Sequence, residues 1–525
     1  MKVVTAREMR EIDRIAIEER GMPGPVLMCL AGKAVADDIT NMFPGLKRVA
    51  VFSGTGNNGG DGFVAAYFLA NRGIRADIFL AGEAGRIADD ARVYFTLCKN
   101  SGITIIPVQG ADDLNGIDLS VYECAVDALL GTGFEGTARG PAADIIRLIN
   151  DSDLFVVSVD IPSGLGADGI APEGEAVIAD RTVTIGLPKL SLVTYPGKEY
   201  AGELLVADIG FPRSLTEADT LTSELIDADY FRRHSIPEIE SEQYALADAH
   251  KGERGHLLLI GGFDGMEGAA MMTASAAFET GTGLITLLTT PAARSVIAGR
   301  IPELITISIP ASLEGDSADP GLVQDAVESA LGQGRYNALV IGPGMGRSGL
   351  ARLVFESAVT RARHYGVRRI LIDGDGLFHL AGFIKKESLD RAVEYIVTPH
   401  FMEASRILER PLDEIKDNRH ASAGLLARTL SCIALLKGPS SIVTDGDSFL
   451  INTTGSAALA TAGSGDVLSG IIGALMLRRF TALQSAAYGV WVHGKASDLY
   501  CAENASDVLK STDLLNCIRK AKKLI

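Results

Sequence analysis

At 525 residues the chain exceeds the roughly 250–300 residues at which a single hydrophobic core stops growing, so two domains are expected. A composition of 47% hydrophobic and 22% charged residues with 58 glycines excludes a disordered chain and suits α/β layers joined by tight turns. A net charge of −17 argues against nucleic acid or an anionic membrane as a partner, because both need a positive surface; an anionic ligand must be held by local N–H groups or a few cations.

The chain opens on Met1-Lys2-Val3-Val4-Thr5, where Thr5 and Glu8 read as a capping box ahead of Met9, Ile12 and Ala16 at helical spacing. This is a helix start rather than a signal peptide, and no apolar run reaches membrane-spanning length. Cys29, Cys98, Cys124, Cys432, Cys501 and Cys517 show no CxxC pair or zinc spacing and read as buried thiols in a reducing cytosol. A cytoplasmic protein is expected.

From Arg48 to about Gly210, β-branched runs alternate with amphipathic stretches, the pattern of a mainly parallel sheet covered by helices. Strands are predicted at Val49–Ser53, Ala76–Leu80, Thr104–Val108, Glu123–Ala128, Phe155–Asp160, Thr182–Ile185 and Glu203–Ala207, with both faces buried. A boundary is placed near residues 215–225, giving domains over 1–220 and 221–525, with the polar stretch Ile236–Asp248 as a linker or surface excursion. A second α/β series follows at His256–Ile260, Leu284–Leu288, Ala338–Ile341, Ile370–Asp373, Tyr395–Val397, Ala434–Lys437 and Ser441–Thr444, ending in a long helical C-terminus.

In the first half, Val49–Ser53 runs into Gly54-Thr55-Gly56-Asn57-Asn58-Gly59-Gly60-Asp61-Gly62, with the helix predicted from Phe63. A glycine-dense turn lets N–H groups approach a phosphate at a helix N-terminus, while the interleaved amides and carboxylate offer oxygen to a ligand or hard cation. Taken alone, a βα turn capped by Asn and Asp explains the same residues. Two more loops leave strand ends: Asp127 to Gly136, and Ser158 to Leu165 with Asp160. An acid ending a buried strand is costly without a partner, so Asp127 and Asp160 are read as site residues, with helix capping as the structural alternative.

Gly56-Asn57-Asn58-Gly59-Gly60-Asp61-Gly62, Asp127 with Gly131-Thr132-Gly133, and Val159-Asp160-Ile161-Pro162-Ser163-Gly164 together resemble, in order, the NAD(P)H-hydrate epimerase domain over about the first 210 residues. The resemblance implies a Rossmann-like αβα three-layer domain that interconverts R and S NAD(P)HX, the cofactor hydrated at C6 of its nicotinamide ring. It further implies that Asn57, Asn58, Gly59, Gly60 and Asp61, with Gly131, Thr132, Gly133, Phe134, Glu135, Gly136 and Thr137, hold the hydrate. Asp160 is then placed near the reacting ring, and Asn58, Asp127 and Ser163 on a potassium ion. Thr55 and Gly166 depart from the family's usual proline and aspartate without removing a ligand. Opening the C–O or ring C–N bond and re-forming it on the other face favours a carboxylate that moves a proton or steadies a cation, and Asp160 is the candidate.

In the second half, Leu459 to Gly470 joins Gly463-Ser464-Gly465 to an apolar helix carrying Asp466 in its first turn. Free N–H groups there can stabilise a phosphoryl group in flight, and the aspartate can take a proton from the attacking hydroxyl; a simple helix-dipole role for Asp466 is the structural alternative. Lys251 to Gly262 with Gly268-Ala269-Ala270, Ile341 to Gly346, Asp373-Gly374-Asp375, Thr398 to Glu403 and Leu436 to Ser441 end successive strands and are expected around one cleft.

This half resembles the NAD(P)HX dehydratase of the ribokinase-like group over about residues 225–525. The resemblance implies an α/β domain in which a nucleotide phosphorylates the C6 hydroxyl and phosphate then leaves. Lys437, Gly438, Pro439, Ser440, Ser441 and Gly465 would bind nucleotide; Ala269, Gly346, His400 and Asp466 would meet the hydrate, with Asp466 the general base. The fused form resembles the ADP-using branch, so ADP is the expected donor, giving AMP and phosphate, with magnesium neutralising the nucleotide. Met402 and Gly374 replace the family's usual glycine and alanine. A sugar or vitamin kinase shares the Gly-Ser-Gly-Asp site, but Asn57–Asp61 and Thr398-Pro399-His400 count against it; the acids at both sites count against a non-catalytic sensor. Oligomeric state, a homo-oligomer included, stays open.

Overall fold

The protein is seen in a computed structural model that describes residues 1–234, 254–313 and 318–524; the stretch Ile236–Asp248 and the lead-in at Lys251 lie outside the described residues. The chain forms two compact units, Lys2–Ser223 and Glu224 onward. The Thr5–Glu8 capping box is present and starts the helix Ala6–Arg14, which runs on into a single π turn over Ile15–Glu19. No described helix is long and apolar enough to cross a membrane.

The first unit is built on seven parallel strands in the order Thr104–Val108, Arg75–Ala81, Arg48–Ser53, Cys124–Ala128, Phe155–Val159, Arg181–Ile185 and Glu203–Ala207. Its side chains divide by the strand period: Val49 and Val51 enter one core, Ala50 and Phe52 the other. That is why the central segments read as continuous apolar runs; the edge strands Thr104–Val108 and Glu203–Ala207 are only partly buried, contrary to the expectation of two buried faces, because each has a neighbour on one side only. The order in which strands are added reverses between Arg48–Ser53 and Cys124–Ala128, and a crevice opens at such a switch point beyond the carboxyl ends of the strands.

In the second unit the strands run in the order Phe449–Asn452, Ile442–Thr444, Ile433–Leu436, Glu394–Val397, Arg369–Ile372, Ala338–Ile341, His256–Ile260, Leu284–Thr289 and Ile305–Ser308. All neighbours are parallel except the two pairs at the Phe449 end. Ile305–Ser308 and Phe449–Asn452 are strands absent from the sequence expectation. Leu257 and Leu259 pack into one core and Leu258 and Ile260 into the other. The switch point lies between His256–Ile260 and Ala338–Ile341, whose loops are lashed together by Gly262 N–H to Pro343 O (2.8 Å) and Phe263 N–H to Gly344 O (2.8 Å).

All six cysteines are free thiols; four are buried, but Cys29 and Cys501 are half-exposed, a departure from the expectation that all lie in cores. The helices Glu267–Thr280 and Ser464–Leu475 pack so closely that a Cβ on Gly470 would stand 2.2 Å from Thr273 O, and Thr273 Oγ1 donates to Asp466 O (3.1 Å). Gly470→Ala should therefore destabilise the second unit by about 1–3 kcal/mol, the usual cost of overpacking. Urea unfolding followed by fluorescence of Trp491, the only tryptophan, checks this.

Candidate active sites

At the first switch point the turn is shorter than expected. Gly54-Thr55-Gly56 makes it, and the helix begins at Asn57 rather than Phe63, running Asn57–Asn71. The glycines inside the helix serve contact rather than turning. A Cβ on Gly59 would fall 1.9 Å from Gly54 O, and one on Gly62 2.5 Å from Ser53 Oγ. A glycine-dense sequence looks like loop when its glycines are in fact spacers for a helix pressed on a strand.

Asn57, Asn58, Asp61, Gly131, Thr132, Gly133, Phe134, Glu135 and Asp160 line one crevice of about 1030 Å³. Gly59, Gly60, Gly136 and Thr137 are not in its lining: Gly60 lies against Met28, and the Thr137 methyl lies where a Cβ on Gly174 would fall. Asp127 and Ser163 stand behind the wall, fully buried. Asp127 accepts from Ser163 N–H (2.8 Å), Ser163 Oγ, Ser158 Oγ (2.8 Å) and, at 3.4 Å, Leu129 N–H. Burial still raises its pKa, outweighing these bonds. Ser163 Oγ accepts from Leu130 N–H (2.9 Å), and Asn58 Nδ2 donates to Leu130 O (2.9 Å), so one turn gathers all three candidate cation ligands. Asn58 Oδ1 is buried with no hydrogen-bond partner.

Asp160 sits one residue past its strand at φ 66°, a left-handed conformation that aspartate tolerates better than most residues. Its Oδ1 accepts from Ile185 N–H (3.1 Å) and is ion-paired with Lys189, which is 1% exposed and also donates to Thr184 Oγ1 (3.2 Å) and Ile185 O (2.9 Å). Lys189 and Asp13 both line the crevice and both escape a sequence reading. A lone lysine within the apolar run Leu187–Val193 was the available signal, since lysine is almost never fully buried unless paired; Asp13 in its helix carried none.

At the second switch point the buried acid is Asp373. It accepts from Lys437 Nζ (2.7 Å), Thr398 Oγ1 (2.7 Å) and Ser469 Oγ (2.7 Å). Burial alone would raise its pKa; the Lys437 ammonium and these bonds hold it below the ordinary value. Asp466 is the third residue of the helix Ser464–Leu475, and a Cβ on Gly465 would lie 3.4 Å from Lys437 Nζ. The Asp466 carboxyl is pushed up to about 7, first by burial, then by Asp373, with Lys437 opposing and Asp375 adding. Asp373, Lys437, Asp466 and Gly465 are thus brought together.

Gly346 N–H donates to Asp375 Oδ2 (2.9 Å), and Ala269 meets the same loop, its Cβ 2.8 Å from where one on Gly344 would be. Gly374, at φ 55°, takes a left-handed position where the family's alanine would be strained. His400 is exposed and caps the helix Phe401–Leu408, its Nδ1 accepting from Met402 and Glu403 N–H (3.2 and 3.3 Å). Met402 points to solvent and leaves that cap intact. In the loop after Lys437, the Ser441 hydroxyl donates to Gly438 O (2.8 Å), Pro439 O accepts from Arg419 (2.9 Å), and Ser440, at φ 52°, buries an Oγ without a partner.

Each unit is a mainly parallel-sheet domain with a lysine-paired carboxylate buried beyond the strand next to its switch point, and together they define a two-domain α/β enzyme of the nucleotide-handling class. Residues 257–520 match the NAD(P)H-hydrate dehydratase family, and residues 24–191 match the family described as YjeF-related protein N-terminus. The bifunctional NAD(P)H-hydrate repair enzyme Nnr of Moorella thermoacetica is 35% identical, covering 98% of this chain and 96% of its own, and that of Coxiella burnetii is 33% identical, covering 98% of each. A solved ADP/ATP-dependent NAD(P)H-hydrate dehydratase from Bacillus subtilis, co-crystallised with ATP and Mg²⁺, aligns with 54% of this chain and 96% of its own at 23% identity and a TM-score of 0.45. The chain belongs to the family of bifunctional NAD(P)H-hydrate repair enzymes.

The Asp466 shift has a stability consequence. Its unfolded-state value is 3.8 and its folded value about 7, so between them the folded protein binds more protons and loses stability as pH rises. Asp466→Asn removes that loss. At pH ~8 the variant should be more stable than the parent by on the order of 4 kcal/mol, the difference vanishing near pH ~4; urea melts read at Trp491 over this pH range test it.

Proposed function

We propose that the first unit, over residues 1–220, interconverts the R and S hydrates of NADH and NADPH, and that the second, over 221–525, dehydrates the S hydrate at the expense of ADP, giving NAD(P)H, AMP and phosphate. The observation that carries this is the presence of two separate acid sites, Asp160 in one unit and Asp466 in the other, in a chain alike over nearly its full length to bifunctional repair enzymes.

At the second site Asp466 takes the proton of the C6 hydroxyl as that oxygen attacks the terminal phosphoryl group. Its pKa near neutrality suits a group that must accept a proton at working pH. The N–H groups at Gly465 face the charge developing in flight. Hydroxide is a poor leaving group and phosphate a good one, so once the ester forms, loss of phosphate and the C5 proton restores the dihydronicotinamide. The segment Lys437–Ser441 holds the nucleotide, with Ser440 Oγ, buried and unpartnered, as one donor toward it. Ala269, Gly346 and His400 contact the hydrate. Magnesium would supply neutralisation of the phosphate charge, held chiefly by the nucleotide's own phosphates, since among the described residues no three His, Cys, Asp or Glu side chains are grouped to hold a metal ion.

At the first site the crevice-lining Asn57, Asn58 and Asp61, with Gly131 to Glu135, hold the hydrate, and Asp160 faces the reacting ring. Asn58, Asp127 and Ser163 suit potassium: the donors are oxygens from three separate loops, and Asn58 Oδ1 lacks any protein partner. The ion would supply positive charge beside a buried carboxylate.

Two experiments test these readings. With Mg²⁺ present, ADP should restore NADH absorbance from S-NADHX faster than ATP freed of ADP. Asp466→Asn should lower that rate at least ~10²-fold while leaving epimer interconversion, followed by chromatography, near the parent rate; Asp160→Asn should do the reverse. Loss of both activities in folded Asp466→Asn would replace two sites by one. The cation reading is tested with Asn58→Ala, which should lose the acceleration of epimerisation by potassium over sodium while a magnesium chelator leaves the parent's epimerisation unaffected; potassium dependence retained in the variant rejects the assignment.

A further inference from the structure

The first crevice holds more acid than a single Asp160 requires. Asp13, on the helix Ala6–Arg14, lines it together with Asp61 and Asp160, and among them stands one buried ammonium, that of Lys189. Lys189 is committed to Asp160, to Thr184 Oγ1 and to Ile185 O. Arg10, one turn before Asp13 on the same helix, and Arg86 and Arg139 on other elements also line the crevice but are exposed, where solvent screens their charge. Three ionised carboxylates around one committed lysine would repel one another and any phosphate-bearing ligand, so the cluster must retain protons.

The carboxyls are not equivalent in where those protons sit. Asp61 is held well above the ordinary carboxylate range by burial, with Asp160 and Asp13 adding and Lys189 opposing. Asp13 is only half-buried; burial and then Asp160 raise it, Lys189 opposes, and it comes to about 6. That value lets Asp13 both hold and release a proton near neutral pH. It also lies ahead of residues 24–191, outside the stretch matched by the N-terminal family.

Resting on the epimerase reading of this unit, we propose that Asp13 is the proton donor of the epimerisation, delivering its proton to the C6 hydroxyl of the hydrate while Asp160, ion-paired with Lys189, faces the cation that forms. The C6–O bond breaks with its electron pair leaving on oxygen as water, and the N1 lone pair forms the C6=N1 bond. Water then adds to C6 from the other face, the C6=N1 pair returns to N1, and the released proton restores the Asp13 carboxyl. One water leaves and one adds, so no further reactant is consumed. A donor and an ionised stabiliser are separate tasks, and the crevice gives each a carboxyl.

The test uses the full chain and pure R-NADHX, with epimers separated by chromatography. Asp13→Asn should lower kcat for epimerisation at least ~10²-fold with KM within about threefold of the parent, because the carboxamide keeps the shape of the site but has no transferable proton. The parent's kcat/KM should fall as pH rises through about 6, where the donor loses its proton, and Asp13→Asn should lack that limb. Asp13→Glu should recover part of the rate with the limb present, which a merely structural role would not produce. An Asp13→Asn enzyme within about threefold of the parent rate, or one keeping the same limb, overturns the proposal. If Asp13→Asn fails to fold, Asp13→Glu decides: full parental rate with no descending limb overturns it. A parent enzyme that does not interconvert the hydrates instead defeats the epimerase reading itself, whatever Asp13 does.

Discussion

A carboxylate at the end of a fully buried parallel strand can remain ionised only if a cation is buried with it, and both units meet this constraint with an aspartate–lysine pair. In the first unit Asp160 and Lys189 pair beside the strand end at Val159, and in the second Asp373 and Lys437 pair beyond Ile372 and Leu436. Removing either partner would strand a buried charge at a cost of roughly 3–5 kcal/mol, so each pair fixes the loops that carry it as firmly as core packing does. The remaining site groups are arranged around these pairs.

The pairs also set the protonation of their neighbours. Asp466 is raised by burial and then by Asp373, and Asp13 and Asp61 by burial and then by Asp160; in each case the lysine restrains the rise. The ion pair thereby prepares a second carboxyl, Asp13 in one unit and Asp466 in the other, that can exchange protons near neutral pH. This division between a fixed charge and a movable proton is what acid–base chemistry requires of a site working at one pH.

Close backbone approach is the second shared device. Gly59 and Gly62 seat a helix on its strand in the first unit, and Gly470 seats the helix of Asp466 against Thr273 in the second. The glycines that matter most here are therefore contact points at which a side chain would displace the acid or the N–H groups aimed at the ligand. Asp160 and Ser440 take left-handed backbone without being glycine, and both stand in turns that follow the carboxyl ends of strands.

The sequence by itself determined the two α/β units, most strand positions and the loops at strand ends, because a strand buried on both faces must be apolar throughout and can be read locally. It also marked Asp160, Asp466 and the Asn57–Asp61 segment, since acids and amides among glycines next to apolar runs stand out in one dimension. The tertiary structure alone decided that Asn57–Gly62 is helix, because the reason is a contact with Gly54 and Ser53 rather than a propensity. It alone brought Lys189 to Asp160, 29 residues away in sequence, and Lys437 to Asp373, 64 away. Asp13 is the clearest case: a polar residue on the first helix becomes part of a site only through the charge of groups that the fold places beside it.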